Sequence, residues 1–232
     1  LRLVLSDGKK YAACTVKVVP QIIAHESACE LLQECFLPID ASRFLTKADV
    51  VQIQKLCTTD TEADTADLSL FLNKADDEGF SALHHISIFC TSTGLLDRLL
   101  KLNPELLRLK DTNGYTSFHC AVAAGNIIAV NYFITYLADK LSDVINLGTH
   151  DGYTPLMLAC MHGKTEMVQI LLAAGSDPNM LLPNGLYAAG LAILNKHIDA
   201  ARVVLEYPAT NVTLGRVNEE SALHLALYNG ES

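Results

Sequence analysis

The sequence lacks the short motifs by which many catalytic and nucleotide-binding sites are recognised. No G-x-x-x-x-G-K-[ST], G-x-G-x-x-G or G-x-S-x-G string is present, so phosphate-cradling loops and nucleophile elbows have no sequence signal. The seven cysteines are scattered and include no C-x-x-C pair, a pattern typical of reduced, mostly buried thiols in the cytosol. We therefore expect no enzyme activity, no cofactor and a cytoplasmic location.

Positive charge is also scarce. Lys and Arg together number 17 against 26 Asp and Glu, which leaves a formal net charge of -9. Such a surface repels phosphate backbones, so nucleic acid is not expected as a primary partner. Hydrophobic residues make up 50% of the 232 residues, which is enough to bury a core in one or two domains and excludes global disorder.

Uninterrupted membrane-spanning segments are missing as well. The uncharged stretches 112–138 and 178–195 are long enough to raise the question, but Gly125-Asn126 interrupts the first and Pro183-Asn184-Gly185 the second. Each stretch is therefore predicted as two short helices joined by a turn. The chain begins with Leu1 and has no signal-peptide pattern, and we expect it to be part of a longer protein that continues past Ser232.

What the sequence does contain is an internal repeat. One string recurs as DDEGFSALHHI, DTNGYTSFHCA and THDGYTPLMLA, with weaker copies LPNGLYAAGLA and RVNEESALHLA. The turn glycines, and the glutamate that replaces the last of them, are separated by 35, 38, 33 and 34 residues: Gly79, Gly114, Gly152, Gly185 and Glu219. A period in the low to mid thirties indicates stacked copies of one supersecondary unit.

Each unit continues with a short helix, a second glycine, a longer helix and a polar turn. In the third unit these parts are Thr154-Pro155-Leu156, Gly163, Leu171-Leu172 and the turn that starts at Gly175. This pattern resembles the ankyrin repeat. The resemblance implies an all-α ankyrin-repeat solenoid over residues 40–232, with a degenerate cap at 40–75, repeats at 76–110, 111–148, 149–181 and 182–215, and a partial repeat at 216–232.

Local physical chemistry favours the same elements. Ser81, Thr116 and Thr154 can N-cap the first helix of their units, and small residues such as Ala121 and Ala159 let neighbouring helices approach closely.

Two units depart from the pattern. In the fourth, Tyr187-Ala188-Ala189-Gly190 replaces the T-P-L-H string, and Lys196 stands where the inter-helix glycine belongs. The second is the longest, with 38 residues between its turn glycine and the next. We therefore predict that its second helix extends from Tyr132 to about Leu141.

The N-terminal residues 1–39 do not fit the repeat. Their apolar spacing predicts an amphipathic helix from about Gln21 to Phe36, and hence an N-terminal helical extension. Ahead of it lies either a hairpin around Asp7-Gly8 or further helical turns.

The degenerate cap is predicted to hold a second-type helix from Thr46 to Cys57. The acidic stretch that follows begins at Asp60 and has Thr65 and Phe71 where a calcium loop needs Gly and Glu. It is therefore interpreted as a solvated insertion.

Histidine and cysteine occur close together in two of the repeats and could form a thiol–imidazole pair or a zinc site. The residues concerned are His84 and His85 with Cys90, and His119 with Cys120. The resemblance gives His84, His119 and His224, which hold the last position of the T-P-L-H string, a structural role instead, in which the imidazole bonds the backbone and ties one hairpin to the next. We expect no metal site.

The resemblance also implies where a partner binds. In the ankyrin architecture the hairpin tips and first helices line a concave groove, and the residue after the turn glycine projects into it. The predicted partner-binding residues are Glu78, Phe80, Asn113, Tyr115, Asp151, Tyr153, Met161, His162, Asn184 and Leu186. In the alternative, the aromatic residues of this set pack on the next hairpin.

The predicted function is thus a non-catalytic protein–protein interaction module that holds a helix, loop or tail of another protein. The alternative is a targeting or substrate-recruiting region of a larger enzyme, such as a secreted bacterial effector acting in the host-cell cytosol.

The resemblance further implies a modification. Ankyrin arrays in animal cytosol are substrates of an asparaginyl hydroxylase that acts six residues before the turn glycine and prefers a leucine eight residues upstream. Asn73, Asn146 and Asn179 hold that position, and only Asn179 has the leucine, at Leu171. Asn179 is therefore the predicted hydroxylation site.

Overall fold

A computed structural model of the chain describes residues 45–59, 71 and 74–212. Over these residues the chain is a series of short helices connected by turns, as an all-α ankyrin solenoid requires. The cap contributes α1 (Lys47–Thr59), unit one α2 (Ala82–Phe89) and α3 (Gly94–Leu102), unit two α4 (Ser117–Ala124), α5 (Ile127–Leu137) and α6 (Ser142–Ile145), unit three α7 (Pro155–Met161) and α8 (Thr165–Ala173), and unit four α9 (Ala188–Leu194) and α10 (Ile198–Glu206). Short 3₁₀ helices occupy Pro104–Arg108 and Ala138–Lys140.

Each unit opens with a tight turn that its own sequence closes. In unit two the Asp111 N–H donates to the Tyr115 carbonyl at 2.9 Å, and the Gly114 N–H donates to the Asp111 carbonyl at 3.1 Å. The Asp111 carboxylate accepts from the N–H groups of Asn113 and Tyr115 at 2.9 and 2.6 Å. Gly114 has a φ of +84°, which glycine adopts without a steric penalty. An acidic residue three positions before a glycine therefore specifies the turn.

Backbone hydrogen bonds join one turn to the next. The Thr112 N–H donates to the Glu78 carbonyl at 3.0 Å, and the His150 N–H donates to the Asn113 carbonyl at 3.0 Å. Because of these bonds the tips of the first three units are held side by side at a constant register.

The first helices begin at the predicted caps. In unit two the Thr116 hydroxyl accepts from the His119 N–H, and His119 Nδ1 accepts from the Thr116 N–H at 3.2 Å. This reciprocal pair satisfies two backbone donors that a helix start leaves open. Pro155 occupies the first turn of α7, where its missing N–H costs nothing.

The core is a continuous apolar seam between neighbouring first helices, which pack in the order α2, α4, α7, α9. Ala121, Ala159 and Ala192 are completely buried along this seam, and the bulkier Ile86 is buried at the corresponding position of unit one. Second helices cover it with paired leucines such as Leu171-Leu172. Each unit therefore supplies half of a contact that its neighbour completes.

In units two to four the turn between the two helices contains a left-handed residue. Gly125 and Gly163 supply it with φ values of +78° and +64°, and in unit four Lys196 adopts the same conformation at +62°. Lys196 thus occupies the glycine position, as its register predicts, at a steric cost that glycine avoids.

The cap helix α1 confirms the helix predicted from Thr46 to Cys57, although it ends two residues later. Thr46 and Asp49 cap it reciprocally: the Thr46 N–H donates to the Asp49 carboxylate at 2.7 Å, and the Asp49 N–H donates to the Thr46 hydroxyl at 3.2 Å. Ile53 and Leu56 are buried where α1 packs on α2.

The prediction for unit two is right about length and wrong about the helix end. At 11 residues α5 is longer than the 9-residue α3, α8 and α10, but it stops at Leu137 instead of Leu141. Ala138, with a φ of +34°, breaks the helix. A straight helix through Leu141 would extend past the shorter second helices on either side, whereas the break returns Leu141 and Ile145 to the core.

The two uncharged stretches also form turns as predicted, with one difference. Helices α4 and α5 flank Gly125-Asn126, but only one helix, α9, lies within the second stretch. None of the helices in the described ranges has the length and hydropathy needed to cross a bilayer.

Several predictions fall outside the described residues. These are the extension at 1–39, the acidic insertion beyond Thr59, Asn73, His224 and the partial repeat at 216–232. The domain boundaries stay a prediction.

Replacing Gly114 by Ala should destabilise the protein more than replacing Gly175 by Ala. Both glycines have positive φ, at +84° and +94°, but a Cβ on Gly114 would lie 2.6 Å from the His150 backbone nitrogen, whereas a Cβ on Gly175 meets nothing within 4 Å. The left-handed strain, about 1–2 kcal/mol, is common to both variants, so the difference between them measures the contact. Urea unfolding of the full chain gives both values, and equal losses would contradict the close stacking of these turns.

Lys196→Gly should raise the free energy of unfolding by about 1 kcal/mol, because glycine removes the left-handed strain at φ +62°. Lys196→Ala removes the same side chain but retains the strain, and is the matched control. Thermal and urea unfolding should rank glycine above alanine, and the reverse order would show that the position is not strained.

Candidate partner-binding surface

The four residues that follow the turn glycines form one series along the array, here called the ladder: Phe80, Tyr115, Tyr153 and Leu186. All four are half-buried. Tyr115, Tyr153 and Leu186 pack against the core, and the Phe80 ring lies 5.5 Å from the rings of both His84 and His85. Each ladder residue therefore contributes to packing and also presents part of its side chain to solvent, so the two interpretations of these positions are compatible.

The residues before the turn glycines, here called the tips, are exposed: Glu78, Asn113, Asp151 and Asn184. In unit one the Asp76 carboxylate accepts from the N–H groups of Glu78 and Phe80 at 3.0 and 2.8 Å. In unit four the tip itself bonds into the turn, because the Asn184 side-chain oxygen accepts from the Leu186 N–H at 3.1 Å. The side chains of Glu78, Asn113 and Asp151 make no such bond among the described residues and are accessible to a partner.

A third series lies at the C-terminal ends of the first helices and is here called the floor. Met161 is half-buried and His162 exposed at the end of α7, as a binding role requires. The same register gives Ile88, Phe89, Ala123, Ala124, Leu194 and Asn195 in the other units, and each of these is exposed or half-buried.

The floor includes two residues that sequence reasoning missed. Phe89 is 42% exposed and Leu194 is 43% exposed. The repeat spacing could have identified both. Phe89 lies ten residues after its turn glycine, as His162 does, and Leu194 lies nine residues after its turn glycine, as Met161 does.

In unit one the ladder and the floor share one side of the first helix. The Phe80 ring contacts His85, and His85 and Phe89 are one helical turn apart, so their side chains lie on the same face. In units two to four the residues between the ladder and the floor are buried. The tips, ladder and floor of units one to four are together called the groove face.

The histidines of the repeat hold this surface in place. His84 Nε2 lies 3.1 Å from the Tyr115 carbonyl, and His119 Nε2 lies 2.8 Å from the Leu147 carbonyl, in both cases in the following hairpin or the chain leading to it. Since Nδ1 of each ring accepts from a backbone N–H, Nε2 carries the proton and donates it. The structural role expected from the resemblance is confirmed for His84 and His119.

Burial controls the protonation of the histidine and cysteine side chains of the repeats. It lowers the pKa of His119 to about 4, although the hydrogen bond to the Leu147 carbonyl acts in the opposite direction. Burial likewise raises the pKa values of Cys120 and Cys160 to about 12. These thiols are protonated at neutral pH, which is the opposite of what a nucleophilic cysteine needs.

Potential metal ligands do not converge in the described part of the chain. Among residues 45–59, 71 and 74–212 no three His, Cys, Asp or Glu side chains lie close enough to hold an ion. His85 instead pairs with Asp76 at 3.0 Å and links the first turn to α2.

Asn179 connects unit three to the end of unit four. Its amide nitrogen donates to the Ala209 carbonyl at 2.8 Å, and its amide oxygen accepts from the Asn211 N–H at 2.7 Å. Asn146 makes an equivalent contact, accepting from the Asp177 N–H at 2.8 Å. The hairpin asparagines thus have a structural role in stacking, and hydroxylation of Asn179 stays a prediction.

Comparison with known proteins identifies the family. The family described as Ankyrin repeats (3 copies) matches residues 87–181 and 158–232. The chain belongs to the ankyrin-repeat family. Ankyrin repeats in general are protein-binding modules without catalytic activity of their own.

Relatives carry the matching array as a small part of much longer chains. Neurogenic locus notch homolog protein 1 is 33% identical over 66% of this chain in Danio rerio and 30% identical over 66% in Homo sapiens. The E3 ubiquitin-protein ligase KEG of Arabidopsis thaliana is 27% identical over 68% of this chain. The chain spans only 6% of the notch proteins and 10% of KEG.

Acidification should destabilise the fold through His119. The unfolded chain protonates this residue near pH 6.5, whereas the folded chain keeps it neutral down to about pH 4, so stability present above pH 6.5 is lost as the pH falls towards 4. One proton contributes a slope of at most about 1.4 kcal/mol per pH unit, and the lowered pKa of His84, which is also due mainly to burial, acts in the same direction.

The measurement is urea unfolding at pH 7, 6 and 5. His119→Gln is less stable at pH 7 because it loses the Leu147 bond, but its stability should depend less on pH. Parallel curves for the two proteins would contradict a neutral buried imidazole.

Proposed function

We propose that this chain is a non-catalytic binding module whose groove face docks a segment of another protein. The observation that carries the proposal is the constancy of the groove face from unit to unit. The ladder is aromatic or leucine in all four units, and the floor position nine residues after each turn glycine holds Ile88, Ala123, Met161 or Leu194. A stripe of this kind, bordered by polar tips, is typical of a protein-binding surface.

Other exposed apolar residues do not have this constancy. Ile128 and Tyr136 on α5 are 42% and 39% exposed, but the positions equivalent to Ile128 hold Thr93, Glu166 and Asp199. Exposed apolar residues on the second helices, which also include Leu102 on α3 at 54% exposure, thus do not recur at one register position, whereas those of the groove face do. An extended ligand gains more from the continuous surface.

The compartment follows from the thiols. Cys90, Cys120 and Cys160 are buried and form no disulfide bond among the described residues, which suits a reducing environment. We propose a cytoplasmic location on this ground.

A recruiting role for a larger enzyme is the second candidate. Its support is the similarity to a region of a protein named as an E3 ubiquitin ligase. In that case the groove face would bind the substrate and a separate domain would act on it. Both candidates require the same groove, so the first experiment is to locate the binding surface.

Phe89→Ala combined with Leu194→Ala should weaken binding of a partner segment at least tenfold, since each substitution removes an exposed apolar contact. The matched control is Ile128→Ala combined with Tyr136→Ala, which removes side chains of similar exposure from the second helix of unit two. A segment selected from a random-peptide library with the full chain as bait serves as probe, and calorimetry gives the dissociation constants. If the control weakens binding and the groove variant does not, the groove face is not the binding surface.

A further inference from the structure

The charges of the groove face have one sign. Across units one to four, the two positions before the turn glycine, the ladder and the floor contain three carboxylates and neither Lys nor Arg. The carboxylates are Asp77 and Glu78 in unit one and Asp151 in unit three, and all three are exposed.

Unlike several other acidic groups, these carboxylates have no partner in the described part of the chain, and the same is true of Glu166 and Glu206 on the second helices. Within residues 45–59, 71 and 74–212 they make no ion pair and no side-chain hydrogen bond. By contrast, Asp97 pairs with Lys101 at 2.6 Å, and Asp111 accepts two backbone N–H groups. The negative charge of the tips is therefore not compensated by the surrounding described residues.

Lysines lie at both ends of the first helices. Lys164 and Lys196 belong to the inter-helix turns, and the Lys164 ammonium group donates to the Ala124 carbonyl at 3.3 Å. Lys74 and Lys110 precede the turns of units one and two but lie outside the groove face. Within the groove face itself the charged groups are the three carboxylates, and they attract a positively charged ligand group.

The ladder rings lie within the field of the acids. The pKa of Tyr115 is raised, first by burial and then by the carboxylates around it, which include Asp111 and Asp151. An aromatic face next to carboxylates is a favourable site for a Lys or Arg side chain, because the ring quadrupole and the carboxylates both attract the cation.

We propose that the groove face binds a basic peptide segment in which Lys or Arg residues alternate with apolar ones. The cations of the segment lie beside the carboxylates of units one and three, and its apolar side chains pack on the floor. The end of the segment that reaches unit four is apolar, because Pro183, Asn184, Leu186 and Leu194 offer no charge there. This assignment rests on the proposed function and adds the chemistry of the partner to it.

The test selects segments from a random-peptide library displayed on phage, with the full chain as bait at low salt. Selected peptides should be enriched in Lys and Arg over the input library. For one selected peptide, Asp77→Asn, Glu78→Gln and Asp151→Asn together should raise the dissociation constant about tenfold, because three exposed charge pairs are lost. The wild-type affinity should also fall as the salt concentration rises.

The matched control neutralises three carboxylates on the second helices, with Glu166→Gln, Asp199→Asn and Glu206→Gln. It changes the net charge by the same amount and should leave the dissociation constant within about twofold. Equal losses in the two triple variants would show that only the net charge matters and would overturn the proposal.

The result also separates this inference from the proposed function. Peptides that lose affinity in the Phe89→Ala and Leu194→Ala variant but are neutral or acidic overturn the basic partner and leave the groove intact. Selected peptides that are unaffected by that variant, or a library that yields no binder, contradict the groove itself. Basic peptides that lose affinity both in the Phe89→Ala and Leu194→Ala variant and in the Asp77→Asn, Glu78→Gln and Asp151→Asn variant support the groove and the basic partner.

Discussion

The stacking of one unit on the next is the interaction on which every other feature depends. A first helix of seven or eight residues is too short to be stable alone, and a single helical pair buries only one side. Neighbouring first helices bury Ala121, Ala159 and Ala192 against one another, while His84 and His119 bond carbonyls that lie beyond their own unit. Burial of apolar side chains thus supplies the free energy of stacking. The hydrogen bonds of the imidazoles fix the register in which one unit packs on the next.

The same register produces the surface at which we propose that a partner binds. Because each unit repeats the turn and the cap, side chains at equal distances from the turn glycine meet the same environment. Tips are exposed, ladder residues are half-buried, and the ends of the first helices are accessible. A surface that continues across four units can hold an extended ligand at several points without any one unit providing a pocket. This arrangement suits recognition of a chain segment better than capture of a small molecule.

In the fourth unit a neighbouring side chain compensates for a departure from the repeat sequence. Gly190 stands where the other units have histidine or methionine, and Tyr187 replaces the capping Ser or Thr. The Tyr187 ring is 1% exposed, and its Cδ1 lies 3.7 Å from where a Gly190 Cβ would be. The large ring thus fills space that the missing side chain leaves empty. Its hydroxyl makes no hydrogen bond among the described residues, so packing is retained while the capping bond is lost.

The amino-acid sequence by itself determined the repeat, its register, the turns and the helix starts. These are local properties. Asp111 closes the turn at Gly114, and Thr149 closes the turn at Gly152. Thr116 caps a helix, and Lys196 adopts the left-handed conformation because its position in the unit requires it. Ladder and tip residues could be named for the same reason.

Tertiary structure decided what depends on neighbours. The end of α5 at Leu137 is set by the lengths of the second helices beside it, and the lowered pKa of His119 is set by burial between units. The exposure of Phe89 and Leu194, and the lack of an ion-pair partner for Asp77, Glu78 and Asp151 among the described residues, follow from which side chains the stack brings together. A periodic pattern specifies where a residue lies within its unit. How far that residue is buried, and which charges surround it, depend on the neighbouring units, and only the folded chain brings these together.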